Sequence, residues 1–209
     1  MGTRNMTCVT LDGEFKVAQY GQCDGYPSYT GIRILRFFRD TDLDKLKNAV
    51  SRLRFMTEEE LERFYIEEET YSKQLTPEQY DLIRRENQDR CCNSAEILDQ
   101  QYLERPFVQI NRDLGWKILK YVMGSDVQPL INDIKFAGNS LSCEWAYVVD
   151  LDNGRFEIFK GLNKEPLAED ERFYSFEGYK EFAPVKLVVA FDLSDLPTEE
   201  HFLECCPDA

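Results

Sequence analysis

Apolar and polar positions alternate over Met6–Leu11 and again over Glu14–Tyr20, with Asp12-Gly13 between them. Alternation at period two marks strands with one face buried, and Asp-Gly tolerates the successive positive φ angles of a type I′ turn, so this stretch predicts a tight β-hairpin. The same pattern returns at Glu144–Asp152 and Arg155–Lys160 around Asn153-Gly154, and Val185–Phe191 reads as one more strand. Strands therefore fall at the two ends of the chain. In between the period changes. Ile32, Leu35 and Phe38 within Gly31–Arg39, then Leu43, Leu46, Val50 and Leu53, recur every three to four residues, which predicts amphipathic helices. Thr57-x-x-Glu60 and Thr76-Pro77-x-Gln79 have the form of capping boxes, so helices are expected to begin there. Arg112–Met123, carrying Trp116, Leu119 and Val122 and followed by Gly124, reads as a core helix with a glycine stop.

Neither end alone holds enough strands for a stable sheet, and open sheets leave unpaired edges. The expected fold is thus a single α+β domain over residues 1–209, its mostly antiparallel sheet assembled from both chain ends with helices packed on it. Residues 57–104 are expected to form an acidic helical insertion within that domain. With 209 residues, of which 43% are hydrophobic and 13% aromatic, the chain can bury one substantial core.

Charge sharpens this division. Residues 1–56 carry nine Lys/Arg against six Asp/Glu, a balance of +3; residues 57–104 carry five against fourteen, −9; and residues 105–209 carry eleven against nineteen, −8. A chain of net charge −14 has no large basic surface from which counterions could be released, so nucleic acid and anionic membranes are not expected partners. Glu58-Glu59-Glu60 and Glu67-Glu68-Glu69 read as solvated helix faces. No apolar run approaches the roughly 20 residues of a membrane span, the N-terminus has no signal-peptide core, and Met6 stands where myristoylation calls for Ser or Thr. The expected location is the cytoplasm, with the nucleus also open.

Seven cysteines, including the adjacent pairs Cys91-Cys92 and Cys205-Cys206, fit a reducing compartment and lack the spacing of a structural zinc site; the one histidine is His201. No metal and no cofactor is expected.

The candidate site is the loop Gln22-Cys23-Asp24-Gly25-Tyr26-Pro27. Gly25 widens the accessible backbone angles and Pro27 fixes φ, which holds Asp24 and Tyr26 on a stiff loop. A helix beginning near Gly31 would aim N–H groups back at this loop, a geometry that favours anions. Gln22, Asp24 and Tyr26, with Arg4 and Lys16 from the neighbouring hairpin, are the expected ligand-binding residues for a small anionic ligand. The plainer alternative has Asp24 capping the turn, Tyr26 packing on the core and Arg4 tied to a carboxylate. Asp150 and Asp152 share a strand face by period two, but beside Asn153-Gly154 they read as turn residues.

Three segments, Gly2-Thr3-Arg4-Asn5, Lys16-Val17-Ala18-Gln19-Tyr20-Gly21-Gln22 and Asp24-Gly25-Tyr26-Pro27, resemble the opening of a family of uncharacterised intracellular proteins from filamentous fungi, bacteria and phages. In relatives a tryptophan commonly precedes the residue matching Asp24 and the loop continues Ser-Gly-Gln-Gly; Cys23 and Ser28-Tyr29-Thr30-Gly31 stand there in this chain. Weaker likeness runs through Asn111–Gly115, Glu144–Asp152 and Asp192–Pro197, and in the C-terminal half it suggests a fungal source. The resemblance implies no catalytic activity.

The expected function is therefore an intracellular binding or interaction protein with a small anionic ligand or a protein as partner. The enzymatic alternative is an N-terminal-nucleophile amide hydrolase using Thr3. It requires a free α-amine on the nucleophile, and removal of Met1 would expose Gly2 instead. Cys8 or Cys23 would need an imidazole base, and His201 lies far from both in sequence.

Overall fold

A computed structural model describes residues 2–79, 81, 103, 105–110, 114–124 and 129–206. Both chain ends meet in one sheet of five strands: β1 (Asn5–Leu11), β2 (Glu14–Gly21), β3 (Trp145–Asp150), β4 (Arg155–Lys160) and β5 (Lys186–Asp192). Their order is β2-β1-β3-β4-β5. Three of the four pairings are antiparallel; the central one, β1 with β3, is parallel and matches Asn5 to Trp145 and Thr10 to Asp150. The expected α+β fold, with a mostly antiparallel sheet drawn from both ends, is the observed one.

The two hairpins close differently. Asp12 and Gly13 take φ of 57° and 73°, as a type I′ turn requires. At the second, Gly154 alone of the turn takes a positive φ, 63°, and the connection spans Leu151–Gly154 rather than Asn153-Gly154 alone. The Asp150 carboxylate holds this longer turn by accepting from the Asp152 and Asn153 backbone N–H groups and from Asn153 Nδ2. Asp152 in turn accepts from the N–H groups of Asp12 and Gly13, at 2.8 and 3.0 Å, so each carboxylate organises a turn and the two hairpin tips are joined.

Both faces of the sheet are covered. One face presents Val9, Val17, Trp145, Tyr147, Val149, Phe156 and Ile158 to a core shared with α1 (Ile32–Asp40), α2 (Leu43–Val50), the short α4 (Ile118–Tyr121) and α5 (Glu199–Glu204). Phe202 of α5 is fully buried there, stacked on Phe156 with ring centroids 5.9 Å apart and packed on Phe191 at 5.7 Å. The chain passes so close at Gly31 that a Cβ would lie 2.8 Å from the Phe202 ring. The other face packs Met6, Cys8, Ala18, Ala146, Val148 and Phe159 under Ala137, Leu167, Phe173 and Val185.

The acidic segment yields α3 (Glu58–Gln74), which contributes no buried residue. Its Thr57–Glu60 capping box is complete, and Arg54 grips Glu60 through two nitrogens. Thr76 and Gln79 exchange the second expected pair of capping bonds. Most of residues 80–104, like the start of the predicted 112–123 helix, lies outside the described residues. In that last segment the chain forms a short 3-10 turn, Gly115–Lys117, before α4. Among the described residues no helix is long and apolar enough to cross a membrane.

Candidate functional site

The loop after β2 is held from below by side chains. Asn5 Nδ2 donates to the Gly21 and Cys23 carbonyls at 3.4 and 3.3 Å, Gly25 N–H donates to Thr3 O at 2.9 Å, Tyr147 Oη donates to Gly25 O at 2.8 Å, and Thr30 Oγ1 donates to Asp24 O at 2.7 Å. Asp24 itself adopts φ 52°, a left-handed angle that aspartate tolerates better than most residues. A Cβ on Gly25 would fall 2.7 Å from both Asn5 Cβ and Thr3 O, so the tight seat, rather than a positive φ, demands glycine. Gly25→Ala is expected to lower the unfolding free energy by about 1–3 kcal/mol through overpacking, measured by urea denaturation. A loss under ~0.5 kcal/mol would mean that the loop is less rigid than its hydrogen bonds imply.

Four of the five sequence-derived site residues gather at this corner. Gln22, Asp24 and Tyr26 lie in the loop, Tyr26 46% exposed and Gln22 accepting a hydrogen bond from Tyr20 Oη. Arg4 enters β1 beneath them, its N–H donating to Glu144 Oε1. Lys16 is not among them. It sits at the hairpin end of β2, opposite the β1 irregularity at Val9/Thr10, and its Nζ pairs with Glu14 at 2.7 Å. Five residue steps of extended strand separate it from Gly21, about 17 Å. Alternation places a residue on a face and leaves its distance along the strand open, which is why Lys16 looked available.

The start of α1 also differs from expectation. Pro27–Gly31 form a π-type turn in which the Tyr26 carbonyl accepts from Tyr29 and Gly31 N–H and the Pro27 carbonyl from Ile32 N–H. Those donors bind backbone, so the helix entry is not an open anion cradle.

Positive charge reaches the corner by another route. Arg33, the second residue of α1, lies with its guanidinium carbon 4.4 Å from the centroid of Tyr29 and 5.8 Å from that of Trp116. Lys120 Nζ approaches Trp116 at 5.2 Å. Gly115, with φ 44°, seats this segment against Gly21 and so brings the Trp116 wall beside the loop. The spacing of Tyr29 and Arg33 by four residues was a readable signal for their pairing. Nothing local in the sequence signals that Trp116 and Lys120 join them.

The nucleophiles weighed from sequence are poorly placed. Thr3 is buried, and Gly2 before it packs on the Gln22 carbonyl and Cys23. Burial pushes the Cys8 thiol far above its ordinary range. His201 stands beside Cys205 on α5, Nε2 to Sγ 3.8 Å, with Glu204 3.6 Å from its other ring nitrogen, on an exposed surface. Among the described residues no group of three or more His, Cys, Asp or Glu is arranged to hold a metal ion, and the described cysteines are all free.

Fold and corner together define an α+β protein with a rigid loop walled by aromatic rings and cations. No known protein family, curated protein or solved structure matches the chain.

Proposed function

We propose that this chain is a binding protein that recognises a small anionic ligand at the Gln22–Pro27 corner, with Arg33 and Lys120 supplying the charge first assigned to Lys16. The observation that carries this reading is Arg33, held between the rings of Tyr29 and Trp116 beside a rigid loop in a chain of net charge −14. A guanidinium steadied by ring contacts loses less freedom on pairing with a phosphate or carboxylate than a mobile one. Tyr26, standing out from the loop, offers a face on which a planar ligand group would stack. The family resemblance in the sequence carries no assigned activity and supplies no ligand.

Calorimetric titration with inorganic phosphate, AMP and ATP tests it. At least one probe is expected to bind, Arg33→Ala to lose tenfold or more in affinity, about 1.4 kcal/mol, and Lys16→Ala to bind as the parent does. Absence of binding by all three probes, or equal binding by the Arg33→Ala variant, would overturn the reading.

A further inference from the structure

The two edges of the sheet are finished differently. Along β2 the ladder is closed from outside: the Asp133 N–H donates to the Ala18 carbonyl at 3.0 Å, and the Asp133 carboxylate accepts from the Tyr20 N–H at 3.0 Å. β5, the strand at the opposite edge, has no such cover among the described residues. Its run Leu187-Val188-Val189-Ala190-Phe191 is wholly apolar, yet none of these residues is buried, and Leu187 is 44% exposed.

The register shows which backbone groups of β5 stand open. Leu193 N–H donates to the Gly154 carbonyl directly across the β4–β5 pairing. Along an antiparallel ladder residues alternate between facing their partner and facing away from it. Phe191 and Val189 therefore also turn toward β4, while Ala190 and Asp192 turn outward. The Asp192 carbonyl is taken by Asp195 N–H. Ala190 N–H, Ala190 O and Asp192 N–H are left without a partner among the described residues.

An open edge of this kind accepts an added strand, and two features select the occupant. The first is charge. Glu165, Glu171, Asp192 and Asp195 stand around β5, against Arg155 opposite Asp192 and Lys186, which is already paired with Glu165 at 2.6 Å. A second copy would bring the same acidic edge, and a further net charge of −14, against this one. The second is the register shift between Ile158 and Phe159, which leaves Val188 as an extra residue in β5. A bulge bends and twists an edge away from the flat pairing of two rigid sheets, whereas a single extended segment can follow it.

We infer that β5 is a docking edge for an extended segment of another protein, added antiparallel and carrying Lys or Arg at alternate positions. The residue set opposite Ala190 exchanges both main-chain hydrogen bonds with it. Ala190 is itself opposite Glu157, and directly opposed residues share a face, so that side chain passes over the small Ala190 methyl on the face that carries Glu157 and Glu171. Two places along, the next such residue lies opposite Asp192. Ser194 N–H and Oγ hold Asp192 Oδ1, while Oδ2 accepts no hydrogen bond from the described residues. The intervening residues turn to the face of Val189 and Phe191 and extend its apolar layer. Main-chain bonds thus supply affinity, and the alternation of cation and apolar side chain supplies selectivity.

NMR titration of the full chain at low ionic strength tests the inference with acetyl-Lys-Val-Lys-Val-Lys-Val-Lys-amide, its counterpart with Glu for Lys, and the Lys peptide N-methylated at every lysine. The Lys peptide is expected to bind and to slow amide hydrogen exchange at Ala190 and Asp192 at least tenfold, and the Glu peptide not to bind. N-methylation keeps the charge and removes the main-chain donors that meet β5, so it is expected to weaken binding tenfold or more. Ala190→Pro deletes the outward N–H at an edge position, where proline is tolerated, and is expected to weaken binding by a similar factor. Should that variant not fold, the N-methylated peptide makes the same test on the unaltered protein. Failure of the Lys peptide to bind, equal binding of its N-methylated form, or binding without protection of Ala190 and Asp192 would overturn the inference. Dimerisation of the free chain with protection of the same amides would also overturn it, assigning the edge to a second copy.

Discussion

Replacing Arg172 by methionine is expected to lower the unfolding free energy by about 3–5 kcal/mol, because it leaves two largely buried carboxylates without their shared cation. The Asp150 and Glu157 side chains are only 5% and 15% exposed, so water cannot take over what the guanidinium provides. Burial works to raise the Asp150 pKa, but hydrogen bonds from Asn153 and Arg172 outweigh it and hold the carboxyl below its ordinary range. A group whose folded pKa is depressed contributes stability that is present above its unfolded pKa, near 4 for aspartate, and is lost as pH falls through the folded value. Urea midpoints measured from pH 7 down to pH 2 should therefore fall in the parent below about pH 4. They should fall less steeply in Arg172→Met, where the shift has lost one of its causes. Equal stability of the two proteins at pH 7 would show that the ion network is surface decoration. If the variant does not fold, Asp150→Asn in the parent keeps the test open, since it should also flatten the acid limb.

Phe202→Ala is expected to cost about 3–5 kcal/mol as well, by a different mechanism. The ring is fully buried and shares its surroundings with Phe156, Phe191 and the backbone at Gly31, so truncation opens a cavity between α5 and the sheet. The same contact makes Gly31→Ala unfavourable in the parent, where the new methyl would press on the ring. In a Phe202→Ala background that methyl would enter the cavity. A double-mutant cycle should then give a total loss smaller than the sum of the single losses. Strict additivity would mean that Gly31 and Phe202 do not share one packing site.

The strands and their common sheet were legible because they obey period two and are bounded by Asp12-Gly13 and Asn153-Gly154, where chain reversal has a local chemical cause. Thr57 and Thr76 likewise marked helix starts through contacts three residues away. What escaped the sequence depends on contacts between distant segments. Trp116 meets Arg33 only because Gly115 packs on Gly21, and Arg172 reaches Asp150 and Glu157 from a stretch with no regular periodicity. Lys16 was misplaced for the complementary reason: its side of the strand could be read, but not how far along the strand the loop lay. The loop itself was readable as stiff from Gly25 and Pro27, whereas the anchoring role of Asn5 and Tyr147 required the parallel neighbour β3.

That parallel pairing has a consequence for biosynthesis. Asn5 waits for Trp145, and at roughly 5–20 residues per second β1 emerges about 7–28 s before its central partner is made. During this interval β1 is paired on one side by β2 and bare on the other, with Met6, Cys8 and Val9 lacking the strand that completes their layer. The nascent chain therefore carries an incomplete sheet, with an open strand edge at its centre, until the second hairpin is made.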